Sequence, residues 1–256
     1  MEWQQKLNIF LSDFEYIKDV TAVLACGSYV TGNPTTHSDL DVHIILDDGV
    51  NYRERGNKYV DGLLIEYFAN PPRQILKYFA EDIIDKSLMS QVQFATGKII
   101  LDNKGEAAAL KAKAGIMIAD FYANATNVAK SEISVLTKYF LWDSLDNLQD
   151  AYKTGRSDFD FLYYTYLDRT LHVYMNTIKH PYNSMSILGN IQSQTVRDKY
   201  LLHSLPDENI ANIIAAAITT TDKQDRLKLF AKLVTSIFNQ FGGFCIDGFK
   251  FKSDVE

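Results

Sequence analysis

Apolar residues recur every three or four positions over residues 3–17, where Trp3, Leu7, Phe10, Leu11 and Phe14 share one side of a helix. That spacing predicts an amphipathic helix. The pattern then shortens. Residues 20–26 form an apolar run of strand length, stopped by Gly27-Ser28, and residues 39–46 read as a second strand. Residues 53–60 and 63–68 flank Asp61-Gly62, the dipeptide of a two-residue hairpin. Pro71-Pro72 breaks the chain and opens a helical stretch reaching about residue 95, and residues 98–101 predict an edge strand.

From Ala107 onward the helical period returns and persists, over 107–128, 131–153, 158–179, 206–220 and 223–240. His180-Pro181 interrupts this run, and β character reappears only in the glycine-rich residues 242–251. The turn residues Asp102-Asn103-Lys104-Gly105 are the natural boundary between the two patterns. The expected fold class is α+β. An N-terminal mixed β-sheet domain with flanking helices spans 1–104, and a helical bundle domain spans 105–256.

Composition narrows the class. At 256 residues, 46% apolar and 23% charged, the chain has the balance of an ordinary globular protein. It holds no apolar run of the roughly 20 residues that span a bilayer, and its start lacks a signal peptide's apolar centre. A cytoplasmic location follows as the expectation, with the two cysteines, Cys26 and Cys245, reduced. The charge is uneven. Residues 1–106 carry 10 Lys/Arg against 16 Asp/Glu, a net of −6, and the remainder carries 16 of each. Neither half has the basic excess of a protein that grips a long phosphate backbone, which argues against nucleic acid. An acidic half suits divalent cations, or a cationic substrate.

The chemistry concentrates in residues 26–46. Alternation on the second strand puts Asp39, Asp41 and His43 on one side and Leu40, Val42 and Ile44 on the other. Two carboxylates so placed repel each other unless a cation lies between them. Mg²⁺ takes oxygen ligands and completes its shell with phosphates and water. Gly27 lets backbone approach a phosphate, and Ser28 adds an N–H and a hydroxyl. Glu66 interrupts the apolar residues 63–68, and a metal shared with Asp39 and Asp41 would satisfy it. A pairing with Arg53, Arg55 or Lys58 across the hairpin would satisfy it equally.

The Gly27-Ser28 turn, the Ser38-Asp39-Leu40-Asp41 strand and Glu66 on a later strand resemble the signature of the DNA polymerase β-like nucleotidyltransferase superfamily. The match covers roughly residues 21–68. With a helical second domain, the chain looks like its small-molecule branch, typified by kanamycin and lincosamide nucleotidyltransferases. The resemblance implies Mg²⁺ on Asp39, Asp41 and Glu66, and a nucleoside triphosphate, ATP as the expected one, held by Gly27, Ser28 and Ser38. It further implies transfer of the nucleoside monophosphate to a hydroxyl of a small molecule, an aminoglycoside-like antibiotic being one candidate, with release of pyrophosphate. Many members carry an Arg shortly after the turn, where this chain has Thr31-Gly32.

On the helix over 131–153, Asp143, Asp146 and Asp150 share a stripe, with Lys153 one turn on. Alone, this stripe reads as a solvated acidic side of a helix. The resemblance implies a general base here, Asp146 first and Asp150 second, with Lys153 on phosphate. In oligomers of the family the helix can come from a neighbouring chain, so a homodimer is one arrangement to be expected. His43 is expected to fill the sheet domain and His37 to sit in a loop. The aromatic run Phe159 to Tyr166 reads as helix core, and Asn183-Ser184 as a helix cap or a nucleotide contact. A transferase acting on a protein or RNA, as antitoxin-type relatives do, and a non-catalytic nucleotide-binding protein are the alternatives.

Overall fold

The computed structural model describes residues 2–125 and 132–253. The chain divides into two compact units, one of residues 1–123 with Lys199–Leu201, the other of residues 124–198 with Leu202–Glu256.

The first unit runs α1 (Trp3–Ser12), β1 (Val20–Cys26), α2 (Ser28–Thr31), β2 (Leu40–Leu46), β3 (Glu54–Val60) and β4 (Leu63–Asn70). It continues with α3 (Pro72–Asp85), α4 (Met89–Thr96), β5 (Lys98–Asp102) and α5 (Glu106–Ala125). The five strands form one sheet in the order β3-β4-β2-β1-β5. The β2–β4 pair is parallel and the other pairs are antiparallel, so the sheet is mixed. All seven residues of β1 are buried because both sides of the sheet are covered. On one side, Leu7, Phe10 and Phe14 cluster with Val23, Ala25, Leu40, Val42 and Ile44. On the other, Ala22, Leu24, Cys26 and Ile45 cluster with Phe79 of α3, Phe94 of α4 and Ala107, Leu110 and Ala114 of α5.

The local signals explain most boundaries. Asp61 and Gly62 take positive φ values of 45° and 78°, as a two-residue hairpin turn requires, and set Val60 opposite Leu63. The helix expected over 3–17 stops at Ser12, and a short 3₁₀ turn at Ile17–Asp19 leads into β1. The helical stretch expected to residue 95 is two helices. Lys86 and Leu88 break it with left-handed backbone, and Leu88 is 1% exposed, so packing holds the conformation. Asp82 Oδ2 then accepts from the Ser90 N–H at 2.6 Å at the start of α4. The Asp102 carboxylate accepts from the Ala107 and Ala108 N–H groups, so residues 102–105 turn directly into α5.

The second unit contains α6 (Val135–Lys153), α7 (Phe159–Thr177), α8 (Ile187–Gln192), α9 (Gln194–Tyr200, whose last two residues group with the first unit), α10 (Glu208–Thr219) and α11 (Lys223–Gln240). Ser134, Asp207 and Asp222 cap α6, α10 and α11 by accepting N–H bonds from the first turn. Leu141, Leu148, Tyr163, Tyr174, Ile214 and Phe230 belong to its core. Residues 242–251 form turns with no strand among the described residues. No helix among the described residues is long and apolar enough to cross a membrane.

Candidate active site

The strand registers build the site. Cys26 pairs with Asp41 across β1–β2, and Asp41 pairs with Glu66 across β2–β4, so the end of β1 and two carboxylates stand in one row. Asp39 lies just ahead of β2 on the side that Asp41 occupies. One carboxylate oxygen from each of Asp39, Asp41 and Glu66 lies within 4.8 Å of the others. All three residues are half-buried.

Such crowding has an electrostatic cost. The Asp41 carboxyl is pushed up to about 6, first by burial and then by the negative charges of Asp39 and Glu66. Its folded value exceeds its unfolded one. The stability it contributes is therefore present below about pH 4 and lost as pH rises through about 6, where the ionised cluster calls for a counter-cation. Burial, then Asp41 and Asp39, likewise push the Cys26 thiol well up. Both cysteines are free thiols.

Gly27 is required here on two counts. Its φ of 76° is left-handed, and a Cβ would overlap Asp41 Oδ2 and lie 3.3 Å from Cγ. Only a glycine lets the turn close down on the carboxylate. Its carbonyl accepts the N–H groups of Val30 (3.2 Å) and Thr31 (3.1 Å) and the Thr31 hydroxyl (3.1 Å), which fixes the start of α2 at Ser28. Thr31-Gly32 thus ends this short helix, and no arginine stands there. Ser38 shapes the following loop, its Oγ accepting the Thr35 N–H at 2.8 Å. His37 is exposed in that loop.

Glu66 has neighbours of both kinds. It belongs to the carboxylate cluster, and its Oε1 also accepts from Arg55 Nη2 at 2.6 Å and Nε at 3.2 Å. The Arg55 side chain is 68% exposed, so this pair stabilises the fold by only about 0–1 kcal/mol and yields easily to a cation. His43 is buried, and burial lowers it to about 4, so its ring is neutral. Its Nε2 lies 3.1 Å from Gln93 Oε1, and the ring packs on Phe68 and Phe94.

Residues 5–103 match the nucleotidyltransferase domain family. That span contains the whole sheet, the Gly27-Ser28 turn and all three carboxylates. Residues 5–103 thus carry a nucleotidyltransferase domain. That domain supports nucleotide transfer in general, and such transfer implies an acceptor. Among ten matching solved chains is a nucleotidyltransferase-like protein from Exiguobacterium sibiricum 255-15. It aligns at 10% identity and a TM-score of 0.45, over 93% of this chain and 77% of its own. No curated protein matches.

In the second unit, Asp146, Asp150 and Lys153 are exposed, and Asp143 accepts the Asn147 side-chain amide at 3.0 Å. In the aromatic run, Phe159 and Tyr163 are buried while Phe161 and Tyr164 are exposed. Asn183 Oδ1 accepts the Met185 N–H in a turn. Sequence reading did not single out Asn70, Tyr78 or the wall they form with Arg53 and Phe68 beside Glu66. Alternation of Arg53, Glu54 and Arg55 into the hairpin was the available clue, since it puts both arginines on the Glu66 side.

Proposed function

We propose that this protein catalyses Mg²⁺-dependent transfer of a nucleoside monophosphate, AMP from ATP, to a hydroxyl group of a small molecule. The reading rests on one observation, the meeting of Asp39, Asp41 and Glu66 within 4.8 Å beside a turn that only glycine can form. Three half-buried carboxylates of which one is pushed up to about 6 fit a hard divalent cation with oxygen ligands. A cation held there supplies charge neutralisation as the α-phosphate is attacked.

The chain's own groups do the rest. The Gly27-Ser28 turn receives the phosphates, with Ser28 offering an N–H and a hydroxyl. The acceptor oxygen bonds to the α-phosphorus, the bond from that phosphorus to the bridging oxygen breaks, and pyrophosphate leaves. The hydroxyl proton passes to a carboxylate. We assign that role to Asp146, with Asp150 second and Lys153 on phosphate, from this chain or from a second copy in a homodimer. Their exposure leaves them available, whereas Asp143 is engaged by Asn147. On this reading residues 105–256 serve the acceptor by contributing its base.

A polycationic aminoglycoside is the acceptor that the family likeness brings forward, but two arginines beside Glu66 disfavour it. The even charge of residues 107–256 disfavours RNA. The test is pyrophosphate release from each of the four common nucleoside triphosphates, with and without Mg²⁺, across hydroxylated small molecules. Release from ATP that requires both Mg²⁺ and an acceptor supports the reading. Release indifferent to Mg²⁺ contradicts it.

A further inference from the structure

Beside the carboxylates, on the same side of the sheet, lies a cavity of about 470 Å³, within the usual size of small-molecule sites. Its walls include Arg53, Arg55, Phe68, Asn70, Tyr78 and His43. Arg55 stands opposite Phe68 in the β3–β4 register, two residues along from Glu66, or about 7 Å. Its guanidinium covers the Phe68 ring at 4.8 Å while also reaching Glu66.

The charge of this cavity is unusual beside three acids. Arg53 donates to the Tyr78 hydroxyl and has no carboxylate partner among the described residues. Because that phenol oxygen already accepts from Arg53, its own proton is left to donate. Glu54 also lines the cavity, but its carboxylate is engaged by the Tyr67 hydroxyl at 2.6 Å rather than by Arg53. Asn70 is 5% exposed, lines the cavity, and its side-chain amide makes no hydrogen bond among the described residues. The walls therefore combine an unpaired cation, a phenol proton, an open amide and an aromatic surface.

Position gives the cavity its role. The Gly27 turn ends β1, on one side of the Asp41–Glu66 row, and β3 lies on the other. Pyrophosphate departing toward Gly27-Ser28 requires the attacking oxygen to approach roughly in line from the opposite side, where the cavity opens. We propose that this cavity binds the acceptor, and that the acceptor is a hydroxyl-bearing planar molecule with an anionic group, a carboxylate or a phosphate. Arg53, Tyr78 and Asn70 bind the anion, Phe68 packs against the ring, and the hydroxyl points toward Glu66. This rests on the function proposed above.

Three probes that differ only in charge decide the matter: para-(hydroxymethyl)benzoate, para-benzenedimethanol and para-(aminomethyl)benzyl alcohol. Binding to the full chain is followed by NMR, with Mg²⁺ and ATP as a separate ligand followed by melting temperature. The carboxylate should bind about 10-fold or more tighter than the amine. Arg53→Gln, at an exposed position, should remove most of that gain, change binding of the neutral diol by less than about twofold, and leave the Mg²⁺-ATP rise in melting temperature intact. Pyrophosphate release should follow the same order of probes. Equal or tighter binding of the amine, or a carboxylate affinity indifferent to Arg53→Gln, overturns the proposal. A carboxylate preference with probe-independent release overturns the acceptor role. A wild-type chain that sorts the probes but gains no stability from Mg²⁺-ATP instead refutes the nucleotide site on which the role depends.

Discussion

Replacing Asp39 and Asp41 together by asparagine should lower Mg²⁺-dependent transfer by at least about 10³-fold, because both charges proposed to hold the cation disappear. The same change should erase the rise in melting temperature caused by Mg²⁺ with a triphosphate. Without metal, the variant should be at least as stable as the parent at neutral pH. Asp41 resists ionisation because of burial and its acidic neighbours, and asparagine relieves that penalty. Loss of activity with gain of metal-free stability separates a cation site from a structural one. A variant stabilised by Mg²⁺ and triphosphate as much as the parent would remove the basis for the assignment.

The second large effect is expected in the helical part. Asp146→Asn should reduce turnover by about 10²–10⁴-fold, the usual cost of removing a positioned base. Triphosphate binding should be nearly unchanged, since the proposed phosphate contacts are Gly27, Ser28 and Lys153 rather than Asp146. Asp146 is exposed and its side chain makes no hydrogen bond or ion pair among the described residues, so the variant should melt as the parent does. Single-turnover kinetics checks this, with Asp150→Asn in parallel. Changes below about threefold in both variants would return this stripe to a plain solvated surface and send the search for the base elsewhere.

Legibility in the sequence follows the range of the forces involved. The strand at 20–26 and the Asp61-Gly62 hairpin were readable because an apolar run and a left-handed dipeptide act locally. The carboxylates were readable because alternation with period two fixes which residues share a side. The two uses of Glu66 could not be ranked from sequence; the residue both joins the carboxylate cluster and pairs with Arg55, since a carboxylate has two oxygens and several acceptor positions. The break between α3 and α4 was not readable, because Leu88 adopts left-handed backbone only under the packing that buries it. Helices α8 and α9, of six and seven residues, are too short to display a period. The alanine-rich start of α5 gave no hint that Ala107 and Ala114 would pack against β1. The cavity was least legible of all. Its walls come from residues 43 to 94, and only the sheet order brings them together.

The central claim is that Asp39, Asp41 and Glu66 share one divalent cation with a triphosphate seated at Gly27-Ser28. A crystal structure with Mg²⁺ and the non-cleavable analogue α,β-methylene-ATP tests it most directly. The account predicts a cation bonded to all three carboxylates and to phosphate oxygens, Gly27-Ser28 against the phosphates, and Arg55 withdrawn from Glu66. A triphosphate bound away from Gly27, or a cation that leaves Glu66 paired with Arg55 alone, would contradict it.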